Sequence, residues 1–190
     1  AYADRNPRRA AQEQALLARV WPGRAGEVVL DLPCGAGRLL PFLVERGHRT
    51  LQADGALAML REAAARDAAG ALAVQADALH APFADRSVDG VVMFRFLHHL
   101  PPDAARAALA EACRVARRFV VVSFFHPVSV HHLQRLSRQA LGAPATRFAA
   151  SLGSVRRTAA RHGFRLHAQA AQRPFARDLW LASFVRDQRG

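Results

Sequence analysis

Apolar residues fall along this chain in two alternating rhythms, and the rhythms outline its elements. Apolar-rich stretches at 28–32, 49–53, 71–76, 88–94 and 119–124 read as strands, the first and the last of the kind buried on both faces. Between them apolar positions recur at helical spacing. A first helix is expected over 4–20, with Ala10, Ala11, Ala15, Leu16, Leu17 and Val20 on one face, ended by Trp21-Pro22-Gly23. Leu39, Leu40, Phe42 and Leu43 mark a second over about 38–46, with Pro41 in its opening turn and Gly47 at its end. Further helices are expected at about 56–69, closed by Gly70, at about 103–115, and at 154–162, ended by Gly163. Two last runs, 164–171 and 179–185, stand on either side of the link 172–178.

Strands alternating with helices predict a parallel sheet covered on both faces, with right-handed crossovers. The two last strands, so close in sequence, predict an antiparallel pair closing the sheet edge. The expected class is α/β: a Rossmann-like, doubly wound, mostly parallel seven-stranded sheet with an antiparallel C-terminal edge strand. One domain spans 1–190, with 1–22 as an N-terminal capping helix. From 126 to 151 periodicity fades, and His126, His131, His132, Arg135, Arg138 and Arg147 mix with Gly142, Pro144 and Phe148. This segment is expected to form a lid on the acceptor side, since long excursions over a cleft carry contacts to substrate.

Chemistry concentrates where the first strand ends. Asp31 interrupts the run Val28-Val29-Leu30-Asp31-Leu32, and Gly35 and Gly37 allow a tight turn with close backbone approach. Open α/β sheets bind ligands at this end of their strands. A dinucleotide fingerprint asks for a third glycine at position 40, and the chain has Leu40. An acid there would also face a pyrophosphate unfavourably. It suits a cation, such as the α-amino group of S-adenosylmethionine (SAM). Asp54 closes the second strand, 17 residues beyond Gly37, where a carboxylate accepts the hydroxyls of a ribose. Asp77 stands at the end of the third.

Composition narrows the partners. With 190 residues, 51% of them hydrophobic, the chain can bury a full core. No run reaches the ~18 apolar residues of a membrane span, and no leader pattern opens the sequence. Cys34 and Cys113 read as free thiols, which fits a reducing cytoplasm. The net charge of +12 comes entirely from arginine, scattered and without aromatic interleaving, so nucleic acid is not the expected partner. No zinc spacing, nucleophile elbow or phosphate loop occurs, and no metal is expected.

Five stretches in order carry a resemblance. They are Val-Leu-Asp-Leu-Pro-Cys-Gly-Ala-Gly (29–37), Ala-Asp-Gly-Ala-Leu-Ala-Met-Leu (53–60), Gln-Ala-Asp-Ala (75–78), 81–91 and Phe-Leu-His-His-Leu (96–100). The chain resembles a class I SAM-dependent methyltransferase of the ubiquinone/menaquinone-biosynthesis type. The resemblance implies SAM as cofactor, with Asp31, Gly35 and Gly37 at its methionine end and Asp54 on its ribose. It places Asp77 and the Ala78 backbone at the adenine, and Phe94 and Arg95 at the methyl-donor end. Pro33, Cys34, Gly55 and Met59 fall within the same motifs and are expected around the cofactor. Two departures are Pro33, where many members have glycine, and the bulky pair Arg95-Phe96.

The implied reaction moves a methyl group to an O, N or C atom of a small acceptor. Arginines and histidines in 126–151 suit an acceptor bearing carboxylate or phosphate. His98, His99 and His126, just beyond the fourth and fifth strands, are candidates for removing the acceptor's proton or orienting it. The rival reading makes His99 a packing or capping residue and His98 solvent-facing. An RNA methyltransferase and a non-catalytic SAM-binding partner subunit are the alternatives, and the chain is expected to be a monomer or homodimer.

Overall fold

A computed structural model describes residues 7–66, 70–128, 147–172 and 179–187. In chain order its elements are α1 (Pro7–Ala18), β1 (Val28–Asp31), α2 (Leu40–Glu45), β2 (Arg49–Asp54), α3 (Leu57–Ala64), β3 (Leu72–Gln75) and β4 (Val88–Met93). A 3₁₀ turn (Leu97–His99), α4 (Pro102–Val115), β5 (Ala116–Phe125), α5 (Leu152–Arg161), β6 (Phe164–Ala171) and β7 (Leu179–Arg186) follow. The strands form one sheet in the order β3-β2-β1-β4-β5-β7-β6. β1 to β5 are mutually parallel, while β7 runs antiparallel to both β5 and β6. The expected antiparallel pair therefore closes the edge, with β6 outermost and the C-terminal strand seated one place in.

The central strands β1, β4 and β5 are buried on both faces, while the edge strands β3 and β6 are partly exposed. Leu30, Val91, Met93, Val120 and Val122 point one way, onto Leu109 and Cys113 of α4 and Val155 of α5. Their neighbours Val29, Val92 and Val121 point the other way, onto Leu16, Leu17 and Val20 beside α1 and Phe42 and Leu43 of α2. Strand order reverses between β1 and β4, which opens a crevice at their C-terminal ends.

Boundaries differ from expectation where side chains far away decide them. α2 begins at Leu40 rather than about 38, because the glycine corner continues as turns: Gly37 N donates to Cys34 O and Leu40 N to Gly37 O. β5 begins at Ala116, three residues before the expected start. Its exposed Arg117 and Arg118 enter a strand because they pair with Asp89 and Glu27. α5 starts at Leu152, where the Ser151 hydroxyl accepts from Ser154 N at 3.1 Å. Both cysteines are free and buried. No helix among the described residues is long and apolar enough to cross a membrane, and no metal-binding cluster occurs among them.

Candidate functional site

The crevice is built from the end of β1 outward. Leu32 N donates to Val92 O and Cys34 N to Ala53 O at 2.8 Å, so the chain leaving β1 is pinned to β4 and to β2. Gly35 and Gly37 then adopt φ of 54° and 73°, the left-handed region that favours glycine. A Cβ on Gly37 would lie 3.3 Å from the Cα of Ala63, so the corner packs directly on α3. Asp54 braces the same corner: Oδ2 accepts from Gly35 N at 2.9 Å and Oδ1 from Ala56 N at 2.8 Å.

A cavity of about 220 Å³ opens there. Asp31, Pro33, Cys34, Gly35, Asp54, Met59, Phe94, Arg95 and His99, all expected from the sequence, line it together with Arg38 and Arg147. Gly37, Gly55, Asp77, Ala78, His98 and His126 do not line it.

Electrostatically the wall has two ends. Asp31 is 1% exposed, and neither carboxylate oxygen has a hydrogen-bond partner among the described residues. Burial, and then the Asp54 charge, push its pKa well above the usual carboxylate range. A lone buried carboxylate stays an acid until a cation arrives to compensate it. Cys34 is held as a thiol by burial and by the two neighbouring aspartates, so it is a wall residue and not a nucleophile. At the other end stand Arg38, Arg95 and Arg147.

Arg95 has a left-handed φ of 56°, and its N–H donates to Ser123 Oγ at 2.5 Å. Its Nη1 lies 2.7 Å from Oε1 of Glu13, whose Oε2 lies 2.6 Å from Nη1 of Arg38. Glu13 is 2% exposed, and the sequence reading missed it. Its signal was an acid placed three and four residues before Leu16 and Leu17, on the apolar face of α1.

The histidines separate. Nη1 of Arg147 lies 2.7 Å from Nε2 of His99 and 3.2 Å from Nδ1. A guanidinium only donates, so His99 is neutral here. Burial, then Arg147 and Arg95, hold its pKa below the ordinary histidine value. His98 is 1% exposed and stacks on Phe125, with ring centroids 3.8 Å apart and 8° between planes. His126 stacks on Trp180 and accepts from Val128 N at Nδ1. Asp77 is exposed and shapes the turn after β3: Oδ1 accepts from Leu79 N at 2.9 Å, and Oδ2 lies 3.4 Å from His80 Nδ1. The Leu79 N–H, and then His80, hold its carboxyl below the usual range. Of the proposed lid, His131, His132, Arg135 and Arg138 lie outside the described residues.

Comparisons with known proteins agree with this architecture. Residues 29–118 match the family described as a methyltransferase domain. A demethylmenaquinone methyltransferase of Thermobifida fusca is 36% identical over 130 residues, 65% of this chain and 53% of that protein. The chain thus spans about half the length of that curated relative. Magnesium protoporphyrin IX methyltransferase from Synechocystis PCC 6803, solved with bound S-adenosylhomocysteine, superposes with a TM-score of 0.74 at 19% identity, over 95% of this chain and 83% of that one. An S-adenosylmethionine-dependent methyltransferase assigned as putative from Listeria monocytogenes gives 0.76 at 17% identity, over 94% of this chain and all of that one. The methyltransferase-domain match over 29–118 thus covers just under half of this chain, and the solved methyltransferases share its Rossmann-like, doubly wound fold.

Proposed function

We propose that this chain transfers a methyl group from SAM to an O, N or C atom of a small-molecule acceptor. The observation that carries the reading is Asp31: a buried carboxylate in the cavity wall, both oxygens without a partner among the described residues, beside a glycine corner. Those residues fit a cationic amino-acid group. Asp31 would compensate the ammonium of the methionine end, and Gly35 would let it approach the backbone closely. Asp54 has further acceptor capacity beyond its two backbone donors, enough for the ribose hydroxyls. Asp77 and Ala78, beyond the cavity wall, are the residues assigned to the adenine end.

SAM supplies a methyl group on a positively charged sulfur, and the displacement needs no covalent help from the protein. The chain's task is therefore alignment, which can supply about 7–11 kcal/mol of the barrier. Phe94 and Arg95 stand where they would border the methyl-donor end. His99, neutral and in the same wall, is the histidine placed to take a proton from an acceptor, an effect of about 10²–10⁴-fold. Arg147 at its side suits an acceptor bearing a carboxylate or phosphate.

Calorimetric titration of the protein with S-adenosylhomocysteine tests the cofactor half. Saturable binding that falls in Asp31→Asn supports it, and absence of heat with both that ligand and SAM overturns it. Conversion of SAM to S-adenosylhomocysteine on addition of a small-metabolite extract tests the transfer. Activity confined to an RNA fraction, weakening steeply with salt, would replace the small-molecule reading with the RNA one.

A further inference from the structure

A second cavity, of about 250 Å³, lies beyond the wall that carries His99. Leu97, Leu100, Leu109, Phe124, Phe148 and Val155 form its interior, and the exposed Pro102, Arg106 and Ser151 lie at its rim. An apolar cavity of about 150 Å³ is already enough to stay dry and take up benzene or xenon.

Several polar groups of the wall are engaged within the protein. Ser151 Oγ accepts from Ser154 N, Thr158 Oγ1 donates to Ser154 O at 3.2 Å, and Arg106 is paired with Asp103. The mostly aliphatic lining favours an occupant without charge, and the rings of Phe124, Phe148 and His98 favour an aromatic one.

Two dipeptides form the partition between the cavities. His99 and Arg147 border the first; His98 and Phe148 border the second. Phe148 N donates to His98 O at 2.8 Å, which holds the two segments together. The His98 and His99 rings stand 4.3 Å apart across that partition.

We propose that the second cavity is a binding site for a small neutral aromatic molecule, separate from the cavity at Asp31 and sharing one wall with it. This goes beyond the methyl-transfer reading and does not depend on it. The test is calorimetric titration of the intact chain with benzene, with and without saturating S-adenosylhomocysteine. It is repeated on Ala105→Phe and Ser154→Phe, two independent fillings of the same space. The expected result is saturable uptake of one benzene per chain in both states, weakened by about tenfold or more in each filled variant that keeps the wild-type circular dichroism spectrum. No saturable uptake, uptake unchanged by the fillings, or uptake abolished by S-adenosylhomocysteine would overturn it.

Discussion

Glu13 on α1 and Arg95 just past β4, 82 residues apart in sequence, meet in an ion pair of 2.7 Å at the wall of the Asp31 cavity. The other oxygen of the same carboxylate holds Arg38, which follows the glycine corner. A helix expected to cap the sheet or pack over the ligand cleft thus fixes two of the arginines that face the cavity. It is held there by Leu16 and Leu17, which are buried against Phe42 and Phe125.

Glu13→Gln keeps the shape of that side chain and removes the charge both guanidiniums use. Arg38 and Arg95 are 32% and 24% exposed, so water recovers part of the loss. The expected destabilisation is about 1–3 kcal/mol, below the figure for a fully buried pair. Urea unfolding measures it, and S-adenosylhomocysteine affinity is expected to fall as the wall loosens.

Asp31→Asn should separate stability from binding. The carboxyl's pKa is raised in the folded chain, so between its unfolded and folded values the native state binds more protons. Wild-type stability therefore falls as pH rises through that window, and the penalty is complete above the folded pKa. The asparagine variant lacks this loss, so in the absence of ligand its unfolding midpoint at neutral pH should equal or exceed that of wild type. Its affinity for S-adenosylhomocysteine should drop, and the rise of that affinity with pH expected of wild type should disappear. An affinity unchanged by the substitution would remove Asp31 from the site.

His99 offers a pH test of the opposite sign. Its folded pKa is lowered, so it adds stability that is complete above the ordinary histidine value and lost as pH falls toward the folded one. In Arg147→Met the histidine loses the nearest positive charge, and its pKa should move up toward the ordinary value. Histidine NMR titration reads this directly. A His99 that titrates identically in both proteins would show the contact to be absent in solution.

Gly90 on β4 lies opposite Phe119 of β5, and a Cβ there would overlap the Phe119 ring. Gly90→Ala should cost about 1–3 kcal/mol by overpacking. Shortening the ring in the double variant Gly90→Ala/Phe119→Leu should cost less than the sum of the two single changes, as expected of residues in contact. Chemical denaturation of the four proteins settles it.

Much of this was legible in the chain itself, because it depends on local pattern. Apolar runs such as 119–124 require strands buried on both faces, and helices between successive strands require parallel pairing, so the order of strands and helices follows from local pattern. Asp31, Gly35, Gly37 and Asp54 were legible because a strand end, a left-handed corner and an acid at the next strand tip stand at fixed spacing. Other features depend on residues distant in sequence. Glu13 and Arg147 enter the wall only through partners on other elements. His98 and His99, adjacent in sequence and with rings 4.3 Å apart, line different cavities, because the partition between the cavities runs through this 3₁₀ turn. Asp77 stands at the strand tip where the spacing put it, and only the structure shows its carboxylate accepting from Leu79 N. Spacing determines what a segment can form. Which buried charge finds which partner was decided only by the three-dimensional approach of segments whose separation along the chain carries no signal.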